Sequence, residues 1–276
     1  RLLQGDVGSG KTIVSLLSAY NTVNSGFQVA IMAPTEILAR QHFNLAKKIF
    51  PKDICIGFIS GKSIYKDKIN ILNNLTNHKI DLIFGTHAIF QKKVNFKKLG
   101  LIIIDEQHKF GVSQRKKLSD KGGNDCDVLL MTATPIPRTL TMTIYGDMDL
   151  SIINEKPSLR KPIKTYSKLE NKIDEVIKFI KKEISLDNQV FWVCPLIEES
   201  KKIDHSSAIK KFEYLKKIFP NQVSLLHGKT TQEEKEQILN NFLDNRFKIL
   251  VSTTIIEVGI DFPNANVIII ENANKF

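Results

Sequence analysis

Cysteine is scarce in this 276-residue chain, and the three present, Cys55, Cys126 and Cys194, stand far apart with neither CxxC nor zinc spacing. A disulfide scaffold is therefore not expected, whereas a reducing, cytoplasmic setting is. The six histidines add no metal-ligand cluster, so the only metal in prospect is one carried by a ligand. No apolar run nears the ~18–20 residues of a membrane span; the longest, around Leu101–Ile104, is strand-sized. The start shows no basic-then-apolar signal segment. Membrane association has no support. Low-complexity tracts and internal repeats are missing as well. Arginine is rare, only six of 40 basic residues.

The remainder is ordinary in balance, with 42% hydrophobic and 25% charged residues. That is enough apolar material for a sizeable core and excludes a disordered or fibrous chain. Forty basic against 29 acidic residues give a net charge of +11, which suggests an acidic partner such as nucleic acid. Lysine, isoleucine and asparagine are abundant throughout and account for part of that charge, so charge alone does not decide. The chain opens at Arg1 without a methionine and stops at Phe276, just after an apolar run. Both ends read as cut, and an internal piece of a longer protein is expected.

Short apolar runs alternate with helix-period segments, the pattern of βα units around a parallel sheet. In the first half the strand candidates are Leu2–Leu3, Val29–Ala33, Cys55–Ile59, Leu82–Phe84, Leu101–Ile104 and Val128–Met131. Helices are expected over Thr12–Asn24, Glu36–Phe50 and Ile64–His78. Regularity fades over residues 151–165, where Pro157 and Pro162 flank a basic stretch, and this segment is read as a linker between domains 1–150 and 166–276. Alternation then resumes, with helices expected at Glu170–Ile184, Ser207–Phe219 and Gln232–Leu243. Strands are expected at Val190–Cys194, Val223–Leu226, Ile249–Ser252 and Val267–Ile270. Thr231 followed by Glu234 forms a capping-box pattern. Two successive α/β domains with mainly parallel sheets are the expected architecture.

Two motifs carry chemistry. Gly5-Asp6-Val7-Gly8-Ser9-Gly10-Lys11-Thr12 matches GxxxxGK[ST] in full. Its glycines let backbone N–H groups turn around phosphate oxygens, and the following helix adds its positive end. Lys11 supplies a point charge at the β- and γ-phosphates, and Thr12 a hydroxyl for Mg²⁺. The second motif is the apolar run Leu101–Ile104 ending in Asp105-Glu106-Gln107-His108, which places acids at the carboxyl edge of the sheet, where open α/β sheets bind ligands. Asp105 can hold the Mg²⁺ shell, Glu106 can polarise an attacking water, and His108 can relay to a neighbouring domain. A strand ending in two acids is weak alone; downstream of a complete phosphate loop it becomes specific.

Asp-Glu-x-His after a phosphate loop, with Thr132-Ala133-Thr134 beyond it, resembles helicase superfamily 2. Longer strings narrow the resemblance to the bacterial RecG and Mfd DNA translocases: residues 4–12, Ala33-Pro34-Thr35-Glu36-Ile37-Leu38-Ala39, the run from Asp105 to Val112, and that from Met131 to Leu140. Gln107 favours RecG, as do Gly146-Asp147-Met148-Asp149 and the run from Val193 to Ser200. The resemblance covers essentially the whole chain. It implies two tandem RecA-like domains, the second incomplete, ATP and Mg²⁺ as cofactors, and branched DNA as the partner of a protein acting as a monomer. The implied activity is that of an ATP-dependent DNA helicase remodelling replication forks and Holliday junctions in recombination and repair. An Mfd-like translocase that displaces RNA polymerase is the alternative. A nucleotide-dependent DNA-binding module without motor action ranks last, because Lys11, Thr12, Asp105 and Glu106 are all intact.

Position by position, the resemblance assigns Pro34, Thr35, Glu36, Gly85, Thr86 and His87 to a DNA-facing edge of the first domain. Without it, Gly85-Thr86-His87 reads as an ordinary turn. Gln107, Thr132 and Thr134 are assigned to coupling between nucleotide state and the second domain. There, Thr253 and Thr254 are assigned to DNA phosphate, and Gly259 and Asp261 to the nucleotide. His227 is read as structural. One departure stands out: where the family has proline-glycine-arginine, this chain has Pro157-Ser158-Leu159-Arg160. Segments for adenine contact, the wedge domain and an arginine-bearing motif are expected outside these residues.

Overall fold

The computed structural model describes residues 1–61, 65–91, 93–106, 126–134, 148–155, 162–195, 203–228, 230–253 and 260–275. They fall into two compact units, Arg1–Lys161 and Pro162–Phe276.

The first unit is built on strands β1 (Leu2–Gly5), β2 (Gln28–Met32), β3 (Ile56–Ile59), β4 (Leu82–Gly85), β5 (Leu99–Ile104), β6 (Asp127–Thr132) and β7 (Leu150–Ile153). They form one seven-stranded sheet in the order β3-β4-β2-β5-β6-β1-β7, every pair parallel. A parallel sheet is covered on both faces, which is why its strands read as nearly continuous apolar runs. Leu3, Ile31, Phe84 and Ile103 pack on one face with Leu16, Ala19 and Ala46, and Leu2, Met32, Ile102 and Ile104 pack on the other. Residues 151–153, expected in a linker, are the body of β7, which pairs with β1 from Leu2 to Gly5. Their pattern is short and half-exposed, so periodicity could not mark them; only the neighbouring strand makes them a strand.

Among the described residues, three α-helices pack on this sheet: α1 (Lys11–Asn24), α2 (Glu36–Ile49) and α3 (Tyr65–Thr76). α1 starts at Gly10, whose left-handed φ of 98° aims the loop into the helix. Thr35 caps α2 by accepting from Leu38 N–H at 3.3 Å, and Pro51 ends that helix by forcing Phe50 into extended backbone.

The second unit is a parallel four-stranded sheet in the order β11-β8-β10-β9, with β8 Gln189–Val193, β9 Val223–Leu226, β10 Ile249–Ser252 and β11 Ala265–Ile270. Its helices are α4 (Ile173–Ser185), α5 (Ile203–Ile218) and α6 (Gln232–Leu243). The helix expected from Glu170 opens with a 3₁₀ turn, Glu170–Lys172. Both halves of the capping box at Thr231 and Glu234 are formed. Trp192 is fully buried at the centre of this core, among Ile180, Leu215 and Val251.

The two units share a correspondence that only their structures make plain. Gln28-Val29 and Gln189-Val190 each open an inner strand and precede Pro34 and Pro195 at the same spacing. Both glutamines are buried, and both turn their amide onto two backbone carbonyls: Leu75 and Ile80 for Gln28, Phe242 and Phe247 for Gln189. Each ties the start of its strand to the end of a helix and the loop beyond.

Candidate nucleotide and DNA site

Because all seven strands of the first sheet are parallel, their carboxyl ends share one edge. Reading across it, Gly85 and Thr86 follow β4, Pro34 and Thr35 follow β2, Asp105 and Glu106 follow β5, Thr132 and Thr134 close β6, and the phosphate loop follows β1. At ~4.8 Å per strand, the loop lies about 10 Å from the acids and about 19 Å from Thr86. Every first-unit site residue that the structure describes is therefore on this edge. Backbone bonds fix it: Ala33 N–H donates to Gly85 O at 3.0 Å and Asp105 N–H to Met32 O at 2.9 Å.

The loop Gly5–Thr12 is shaped for an anion. Gly8 and Gly10 have φ of 77° and 98°, where a side chain would be strained. No side chain caps α1 and no acid sits in its first turn, so its leading N–H groups point outward as donors. Lys11 is buried and donates to the carbonyls of Gly5 at 2.7 Å and Asp6 at 3.0 Å. Ser9 Oγ is buried without a hydrogen-bond partner among the described residues. A Cβ on Gly5 would come within 2.5 Å of that oxygen and 3.2 Å of Ile153 Cβ, so a larger residue where the loop leaves the strand would have to displace the Ser9 hydroxyl and crowd Ile153. Open amides, a lysine and an orphaned hydroxyl form a donor set that suits a polyphosphate; Thr12 and Asp105 supply oxygen ligands of the kind Mg²⁺ takes.

Asp105 and Glu106 are buried at the end of β5. Glu106 has φ 49°, the left-handed region that costs a non-glycine residue ~1–2 kcal/mol. Its N–H donates to Asp105 Oδ1 at 3.0 Å. The other carboxylate oxygen, Oδ2, lies 2.8 Å from Nε2 of His42, a buried histidine on α2. Sequence reasoning missed His42. Its signal was an ionisable residue at helical spacing with Leu38, Ala39 and Ala46, a face otherwise apolar. Thr132 and Thr134 form a small network, Oγ1 to Oγ1 at 2.9 Å, with Thr134 N–H donating to Thr132 Oγ1 at 3.2 Å.

Of the residues expected to face DNA, His87 is exposed, Pro34 and Glu36 are half-buried, and Thr35 and Thr86 are largely buried. Glu36 is held by Arg40, whose Nη2 and Nε donate to Oε1 at 2.7 and 2.9 Å. Gly85 has a packing reason to be glycine: a Cβ there would overlap the Ile59 carbonyl oxygen of β3.

In the second unit, Thr253, expected at DNA phosphate, is 1% exposed, and among the described residues neither its hydroxyl nor that of Ser252 has a hydrogen-bond partner. Asp261 is exposed. His227 interacts with Thr230, whose Oγ1 lies 3.3 Å from its Nδ1 and accepts its backbone N–H at 3.1 Å. Burial first, and then Glu271, pushes the Cys194 thiol up to about 12, so no thiolate chemistry is available there. Gln107, His108, Thr254 and Gly259 lie outside the described residues. No described helix is long and apolar enough to cross a membrane, and the described residues hold no cluster of metal-ligating side chains.

A phosphate loop and an Asp-Glu pair on one parallel-sheet edge, with a second parallel α/β unit following, define a class. The chain belongs to the DEAD/DEAH box helicase family, whose model matches residues 1–143, while that of the helicase conserved C-terminal domain matches residues 171–275. Within that class the similarity is to RecG. The ATP-dependent DNA helicases RecG of Bacillus subtilis and Thermotoga maritima are each 47% identical over 279 residues, which cover all of this chain but 41% and 36% of theirs. A solved structure of RecG bound to a three-way DNA junction superposes with a TM-score of 0.84 at 42% identity, covering all of this chain and 36% of that one. The chain thus spans about two fifths of the length of these relatives. A yeast Dbp5 structure, with TM-score 0.69 and 20% identity, shares the fold.

Proposed function

We propose that this chain is the motor core of a RecG-type enzyme that hydrolyses ATP to remodel branched DNA, such as stalled forks and recombination junctions, in repair. The observation that carries the reading is the shared edge, where the phosphate loop, Asp105 and Glu106 stand together in a chain 47% identical to RecG helicases. In this reading the amides of residues 8–12 and the Lys11 ammonium bind the β- and γ-phosphates. Lys11 exchanges the Gly5 and Asp6 carbonyls for phosphate oxygens. Thr12 and Asp105 would hold the nucleotide's Mg²⁺, which would supply neutralisation of the phosphate charge. Glu106 orients the attacking water and takes its proton. Thr132 and Thr134 pass the change in nucleotide state on. Pro34, Thr35, Thr86 and His87 meet the DNA backbone, in keeping with the net charge of +11. A cytoplasmic enzyme is in keeping with the bacterial source of these relatives, and action as a monomer is part of the same proposal.

The test is a pair of variants in the full-length protein, assayed for ATP binding and for ATPase stimulated by a three-way junction. Lys11→Ala is expected to abolish turnover. Glu106→Gln is expected to keep ATP binding and slow hydrolysis by about 10²–10⁴-fold. Near-wild-type turnover in Lys11→Ala would overturn the assignment of the loop. Equal loss of binding and turnover in Glu106→Gln would remove Glu106 as the base.

A further inference from the structure

We infer that His42 is the positioning residue that orients the Asp105 carboxylate toward the Mg²⁺ of bound nucleotide; this rests on the nucleotide-site reading above. The carboxylate is anchored at both oxygens, by Glu106 N–H on Oδ1 at 3.0 Å and by His42 Nε2 on Oδ2 at 2.8 Å. Its own main chain is pinned by Asp105 N–H to Met32 O at 2.9 Å. An ionised carboxylate only accepts hydrogen bonds, so Nε2 carries the proton in this pair. Each oxygen keeps a further lone pair, and with both anchors in place the carboxylate plane is fixed before any ligand arrives. The Glu106 N–H alone would leave that plane free to swing about its χ2.

The surroundings of His42 argue that packing is not its reason for being there. Its neighbours on the inner face of α2 are Leu38, Ala39 and Ala46, all buried. An apolar residue would fill that position without the cost of desolvating an imidazole. The one described polar partner of the ring is the oxygen of the residue placed at the metal. His42 also lies seven residues beyond Thr35, about 10 Å along the same helix. A phosphate held at the capped start of α2 and the carboxylate at the nucleotide are thereby joined through one rigid element.

Partners that orient metal ligands from behind typically cost 10–100-fold in metal affinity when removed. The experiment compares wild type with His42→Gln, His42→Asn and His42→Ala in the full-length protein. Glutamine can put an amide N–H where Nε2 stands, whereas asparagine is too short. Two quantities are read: the Mg²⁺ concentration giving half-maximal binding of a fluorescent ATP analogue, and that giving half-maximal ATPase. Thermal melting without Mg²⁺ or nucleotide reports folding separately. Glutamine is expected to match wild type, and asparagine and alanine to need about tenfold more Mg²⁺ in both assays, with the KM for ATP at saturating Mg²⁺ unchanged. Identical Mg²⁺ requirements for glutamine and asparagine would overturn the proposal, and this pair decides should the alanine variant not fold. A folded alanine variant with a lower melting temperature but a wild-type Mg²⁺ requirement would also overturn it, leaving His42 merely structural. Failure of the underlying reading shows elsewhere, as ATP binding and turnover that survive Lys11→Ala.

Discussion

Replacing Gln28 with leucine removes a buried four-way junction at nearly constant volume, and its cost follows from what is left unpartnered. The Gln28 amide donates to Leu75 O at 2.9 Å and Ile80 O at 2.8 Å, and its oxygen accepts from the backbone N–H groups of Lys97 at 2.8 Å and Lys98 at 3.1 Å. Leu75 O keeps the N–H of His78. Ile80 O becomes a buried orphan, at ~1–3 kcal/mol. Lys97 and Lys98 are exposed residues whose amides recover water, so each loses the ~0.5–1 kcal/mol of an ordinary hydrogen bond. The sum is ~2–5 kcal/mol, a large part of the ~5–15 kcal/mol that holds a domain. Urea unfolding followed by far-ultraviolet circular dichroism measures it. Gln28→Glu is expected to be worse still, since one oxygen keeps the bonds from both N–H groups but the other, replacing the donating amide, sets a negative charge against two carbonyls. A leucine variant within the ~0.5 kcal/mol of a neutral surface change would refute the reasoning. So would a glutamate variant as stable as the leucine one.

Two further outcomes follow from local geometry. Gly85→Ala must push β4 away from the Ile59 carbonyl, which costs ~1–3 kcal/mol as overpacking does and displaces Thr86; a melting temperature equal to wild type would show that the edge relaxes freely. The Glu234 carboxylate is held below its ordinary value of 4.5, first by the backbone N–H of Thr231 and then by its hydroxyl. Its folded value lies below its unfolded one, so its contribution is full above 4.5 and is lost as pH falls through the folded value. Glu234→Gln is therefore expected to flatten the acid limb of stability, and an unchanged acid limb would assign that limb to other groups.

Local sequence determined a good deal. Glycines at positions 8 and 10 are needed wherever a chain must turn its amides inward, so the phosphate loop is legible without any neighbour. The capping box at Thr231 is equally local, since Thr231 and Glu234 satisfy each other within one helical turn. The buried parallel strands announce themselves as continuous apolar runs because both faces are covered. What the chain brings together across long separations was not legible. β7 is a strand because β1 pairs with it, not because of its own pattern. Gly85 is required by the carbonyl of a strand 26 residues earlier, at Ile59. His42 and Asp105 are separated by 63 residues, and only the packing of α2 on the sheet, over β3 and β4, turns a histidine on an apolar face into the second anchor of a carboxylate. Burial on a helix face can be read from period, but the partner a buried polar group finds is chosen by the tertiary fold, since hydrogen bonds reach only ~3 Å and the chain alone does not say which atoms come that close.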